Sequence, residues 1–151
     1  MTEDSPLMET EMDNAARVVV GVDGSENSVQ ALRWAVDYAR SCGKEVRVLS
    51  AFEIPWTIFI SRTATDQTYA DKAREALEAT IEEAFPGGTD IELNPNIIQN
   101  RPKLALAVAS KNADILVIGG HGSGLLSGVN IGSVANYCVQ HAECPVVVVR
   151  E

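Results

Sequence analysis

Basic residues are scarce in this chain: 12 Lys and Arg stand against 21 Asp and Glu, for a net charge of -9. Such a field repels a polyanion, which argues against nucleic acid as a partner. Cysteine is scarcer still, and Cys42, Cys138 and Cys144 form no CxxC pair. An odd number without ligand spacing argues against both a disulfide framework and a zinc site, so the three read as reduced thiols. Cys138 is expected on the buried side of a helix and Cys144 at the start of an apolar strand, both as packing residues. Long apolar runs are absent as well. None approaches the roughly 20 residues that cross a bilayer, and the opening MTEDSPLMETEMDN is acidic where a secretory signal is basic and then apolar. No membrane contact is expected, and the cytoplasm is the expected address.

What is present suffices for one folded domain. The chain has 151 residues, 46% of them hydrophobic and 22% charged, close to the composition of soluble globular proteins. Residues 1–16 carry five acidic side chains and no apolar period, and read as a flexible acidic leader ahead of a domain over 17–151. RVVVGVDGS from Arg17 is a β-branched run ending in turn chemistry, a first strand. Glu26 to Ser41 places Val29, Leu32, Ala35, Val36 and Ala39 on one helical face, with Ser25 as N-cap and Gly43 as stop. Glu45 to Phe52 reads as a second strand, parallel to the first.

Pro55 to about Thr68 shows no period and is long for a loop. Tyr69 to Phe85 is helical, with Ala70, Ala73, Leu77, Ile81 and Ala84 on one face, and Pro86-Gly87-Gly88 ends it. A third strand lies within Asp90 to Gln99, edged or broken by Pro95. Pro102 opens a third helix expected to turn Leu104, Ala107 and Val108 inward. DILVIG from Asp114 is a fourth strand, and Ser133 to about Ala142 a helix turning Val134, Tyr137 and Cys138 inward. PVVVVR closes the chain as the last strand. The fold class is therefore α/β, an open, doubly wound, parallel five-stranded sheet with helices on both faces.

In such sheets ligands collect outside the carboxyl ends of the strands, where the strand order reverses. Two segments qualify: Val22-Asp23-Gly24-Ser25 after the first strand, and GGHGSGLLSGVNIGSVANY from Gly119 after the fourth. Glycines let amide N–H groups approach an anion, and a helix starting at Gly132-Ser133 adds a positive dipole end. Each feature has a plainer alternative. The glycines can serve a simple turn capped by Ser133, Asp23 can cap its own turn, and His121 can be a solvated loop side chain. The functional alternative for His121 is a place against ribose or phosphate, with positive charge when protonated.

Gly119, two residues, Gly122, nine residues, Gly132 and Ser133 resemble the ATP-binding signature of the universal stress protein family. VVVGVDGSENS resembles that family's opening strand and ECPVVVVR its closing one, so the resemblance spans about Arg17 to Arg150. It implies the family's adenine-nucleotide α-hydrolase-like fold and an adenine-nucleotide site. In that site Val22, Asp23, Ser25 and the backbone at Ala51 would meet adenine or ribose. Gly119, His121, Gly122, Gly132, Ser133 and Val134 would surround ribose and phosphates. The chain departs from the family in carrying no Lys or Arg between Gly119 and Ser133, and in having Asn100 where a glycine is common. A triphosphate would then lean on backbone amides, on His121 and on a metal ion such as Mg2+, with Arg101 a candidate cation.

The function implied is that of an ATP-binding regulatory protein of the stress response. The alternatives are an AMP or cyclic AMP module, and a slow ATPase or self-phosphorylating protein. No catalytic constellation is legible, and His141 has no evident acid partner. The P-loop GxxxxGK[ST] is absent, and VDGSENS stands where a GxGxxG fingerprint would fall. The resemblance also implies a homodimer, paired through Val146 to Val149 if that strand lies at an edge.

Overall fold

The computed structural model describes residues 17–56, 66–121 and 131–150. The elements alternate strictly: β1 Arg17–Gly21, α1 Glu26–Cys42, β2 Glu45–Phe52, α2 Asp66–Ala84, β3 Leu93–Gln99, α3 Pro102–Ala109, β4 Ile115–Gly119, α4 Ser133–His141 and β5 Val146–Val149. A single 3-10 turn, Ser110–Asn112, lies between α3 and β4. All strands run parallel in the order β3-β2-β1-β4-β5. The fold class read from the sequence is thus the observed one.

The strands are apolar on both sides because both sides are covered. Val18, Val20, Val46, Val48, Ile115 and Val117 meet α1 and α2 on one face. Val19, Leu49, Leu116 and Ile118 meet α3 and α4 on the other. The chain travels outward from β1 to β3 using the first face and returns through β4 to β5 using the second. Crossovers of constant right hand require that change of face when direction reverses. The reversal leaves a crevice between the carboxyl ends of β1 and β4.

Local chemistry sets the boundaries. The Ser25 hydroxyl accepts from the Ser28 N–H, and Gly43 ends α1 at φ 69°. α2 has no basic residue in its last turn, and Arg33 of α1 donates instead to the carbonyls of Glu83 and Ala84. Pro95 is tolerated because β3 is an edge strand, with one side that needs no N–H. β5, the other edge, pairs with β4 alone.

Three sequence expectations need correction. α2 begins at Asp66 rather than Tyr69, since the polar residues Asp66, Gln67 and Thr68 extend the helix without extending its apolar stripe. Much of the long aperiodic stretch, residues 57–65, lies outside the described residues. Val108 does not turn inward. It is 58% exposed, while Ala105 and Leu106 are buried and Leu104 and Ala107 half-buried. In α4 the buried pair is Ala135 and Cys138, with Val134 and Tyr137 half-buried. All three cysteines are free, and burial, with a smaller contribution from Cys144, pushes the Cys138 thiol up to about 11.

Candidate functional site

A cavity of about 300 Å³ occupies the crevice at the carboxyl ends of β1 and β4. Its walls follow from how each strand ends. The Val22 N–H donates to the Leu49 carbonyl at 2.9 Å, extending the β1–β2 ladder one residue and bringing both residues to the cavity. Beyond it Gly24, at φ 85°, turns the chain into α1. Asp23 Oδ1 accepts from the Ser25 N–H at 3.0 Å and from its hydroxyl at 2.6 Å. Asp23 therefore does cap its own turn, and the same bonds hold its exposed carboxylate at the cavity.

The glycines divide by role. A side chain at Gly119 would stand 2.8 Å from Asn27 Cβ and 3.0 Å from the Asn27 backbone, so α1 can lie this close only over glycine. This glycine answers a packing demand as well as bordering the cavity. The Gly120 N–H donates to the Val149 carbonyl at 2.9 Å, and its own carbonyl accepts from Gly132 at 2.6 Å. That second bond joins the two sides of the glycine segment at its base.

Gly132, not Ser133, is the N-cap of α4, and without a side chain it makes no capping bond. The N–H groups of Ser133, Val134 and Ala135 find no acceptor among the described residues, and all three residues line the cavity. An uncapped helix end of this kind is a ready anion site. His121 lines the cavity too, and its buried Nδ1 has no partner among the described residues. Leu49, Ala51, Leu106 and Ile118 supply an apolar wall opposite these polar groups. The arrangement suits a ligand with a flat apolar part and an anionic part.

Of the residues expected from the sequence, Val22, Asp23, Ser25, Ala51, Gly119, His121, Gly132, Ser133 and Val134 are brought together around this cavity. Gly122 lies outside the described residues. Arg101 is the N-cap of α3 and exposed, and it is the adjacent Pro102 that borders the cavity. Asn100 receives the Arg101 N–H on its side-chain oxygen at 2.7 Å, fixing the entry to α3. His141 does not line the cavity and stacks on Tyr137, ring centroids 4.0 Å apart. Among the described residues, no Lys or Arg lines the cavity. Sequence reasoning did not name Gly21, Ser28, Leu49, Pro102, Leu106, Ile118 and Ala135 as lining residues. All but Pro102 and Leu106 lie within three positions of residues it did name, and Leu106 comes from a helix whose apolar residues left its inner face ambiguous.

The family model described as the universal stress protein family matches residues 15–150. A universal stress protein of Mycobacterium tuberculosis strain H37Rv is 33% identical over 142 residues, covering 90% of this chain and 46% of that protein. The chain thus spans about half the length of the curated relatives it matches. The structure of universal stress protein UspA from Lactobacillus plantarum superposes with a TM-score of 0.75 at 22% identity, covering 90% of this chain and 98% of that one. A universal stress protein solved in complex with cAMP gives 0.64 at 25% identity, covering 90% and 97%. With a match running from just before β1 to just after β5, the chain belongs to the universal stress protein family.

Proposed function

We propose that the cavity binds an adenine nucleotide and that the protein acts as a regulatory ATP-binding module of the stress response. The observation that carries this is the uncapped N-terminus of α4 opening into an apolar crevice at the strand-order reversal. The base would lie against Leu49, Ala51, Leu106 and Ile118, with the ribose near Asp23. Phosphate would meet the N–H groups of Ser133 and Val134, with His121 and Gly122 of the glycine segment beside it. The related protein solved with cAMP supports a ligand of this class.

A second reading, AMP or cyclic AMP, is favoured by the lack of any Lys or Arg in the lining. Fewer phosphates need fewer donors. Among the described residues no group of three His, Cys, Asp or Glu side chains gathers to hold a metal. A Mg2+ ion would therefore arrive on the phosphates themselves. Calorimetry with ATP, with and without magnesium, and with AMP and cyclic AMP is the test. ATP is expected to bind in the micromolar to millimolar range, and silence from all three nucleotides would overturn the proposal. Tighter binding of a monophosphate would select the second reading.

Binding without turnover is part of the proposal, and phosphate release above the protein-free rate would contradict it. Domain 17–151 is taken as the binding unit, with the leader over 1–16 outside it. The edge position of β5 supports a homodimer paired along Val146 to Val149, which sedimentation at micromolar concentration would detect. No described helix is long and apolar enough to cross a membrane. Together with the net charge of -9, this supports a cytoplasmic role without nucleic acid.

A further inference from the structure

We infer that Lys103, from the first turn of α3, supplies the cation that the glycine segment lacks and so sets the affinity for the outer phosphates of a nucleotide. This rests on the adenine-nucleotide reading of the site. Neither the cavity lining, among the described residues, nor the sequence between Gly119 and Ser133 contains Lys or Arg. A multiply charged phosphate chain entering a protein of net charge -9 therefore needs a cation from another element.

Most described cations are committed elsewhere. Arg33 donates to the carbonyl ends of α2, Arg40 pairs with Asp37 and Asp90, and Lys44 pairs with Asp114 at 2.7 Å. Lys103 has no ion pair among the described residues. Its ammonium lies instead 5.1 Å from the centre of the Tyr137 ring. That ring is braced from its own helix by His141, stacked at 4.0 Å.

Position gives this contact its meaning. Lys103 follows Pro102, which borders the cavity. Tyr137 lies four residues after Ser133, about 6 Å along the helix axis. The Lys103 ammonium, over the Tyr137 ring, thus rests about one helical turn from the helix end proposed to hold phosphate. Both residues are only half-buried, so the cation–π contact is modest, and the four-carbon stem is flexible enough for the ammonium to leave the ring for a phosphate oxygen. A cyclic monophosphate, held close to the helix end, would leave that oxygen out of play.

The test is calorimetry of the full chain with ATP and with cyclic AMP at low and high salt. It compares the unmodified protein with Lys103→Gln, Lys103→Arg and, as a cation at the same end of α3, Arg101→Gln. Lys103→Gln is expected to weaken ATP about tenfold and flatten its salt dependence, with cyclic AMP changed less than about twofold. Lys103→Arg should restore most of the ATP affinity, and Arg101→Gln should weaken ATP less than Lys103→Gln does. Unchanged ATP binding in Lys103→Gln would overturn the inference. So would equal losses for both nucleotides, or an ATP-selective loss in Arg101→Gln alone. If the unmodified protein binds no nucleotide, the proposed function falls and this inference with it. If it binds ATP and Lys103→Gln binds equally well, only the inference falls.

Discussion

On one face of the sheet, α1 and α2 run 17 and 19 residues. On the other, α3 and α4 run 8 and 9. α1 has a serine N-cap and a left-handed glycine stop, and α2 borrows Arg33 for its last carbonyls. Neither α3 nor α4 receives a side-chain N-cap bond. The first face also holds the larger buried set, with Val29, Ala31, Leu32, Ala35, Val36 and Ala39 all 0 to 1% exposed. The two faces teach a division of labour. α1, capped at both ends, and α2, whose last carbonyls Arg33 meets, fix the sheet, whereas uncapped α4 leaves N–H groups free at the crevice, where a ligand can use them.

Core truncation gives the largest effect and tests that division most directly. Leu32→Ala, from a side chain with no exposure, should cost about 2–5 kcal/mol in urea unfolding. Leu106→Ala, at a side chain 5% exposed that already borders the cavity, should cost less and instead enlarge the crevice. Equal losses would break the contrast. Next in size is Gly119→Ala, whose new methyl would press on the α1 backbone at 3.0 Å, at about 1–3 kcal/mol. Gly120→Ala meets nothing nearer than 3.5 Å and should stay within about 0.5 kcal/mol.

Ser25→Ala should remove about 1 kcal/mol by deleting the hydroxyl that accepts from the Ser28 N–H. It also takes the hydroxyl bond from Asp23 and leaves only the one from the backbone N–H of residue 25, so nucleotide affinity should fall alongside stability. No loss in thermal unfolding would mean that α1 does not depend on its cap. The smallest effect is a pH slope on the second face. The Cys138 thiol moves from 9.0 in the open chain to about 11 when buried. The folded state therefore keeps this proton longer, and stability should decline as pH rises through that interval. Cys138→Ala should show a shallower decline in urea midpoints, and an identical slope would remove the thiol as its cause.

Legibility followed the same division. α1 was readable to within a residue because its apolar stripe is regular and both ends carry their capping residues. α3 was not: in KLALAVA nearly every position is apolar, so no period distinguishes Leu106, which faces in, from Val108, which faces out. Gly119 was read for its closeness to a ligand, but the demand on it comes also from Asn27, ninety-two positions earlier in the chain. Ser133 looked like a possible cap beside Gly132, and only the backbone shows that Gly132 holds the cap position while the helix starts at Ser133.

The sequence by itself determined the order of elements, the parallel sheet, most cavity residues and the absence of a cation from the glycine segment. Periodicity, capping chemistry and β-branched runs are local signals and need no partner to be read. Only the tertiary structure decided that the two turn segments share one crevice, that α4 opens into it uncapped, and that Lys103 of α3 meets the Tyr137 ring of α4. Each of these is a meeting of residues far apart in the chain, and only the sheet order, which the local pattern does not encode, brings them together.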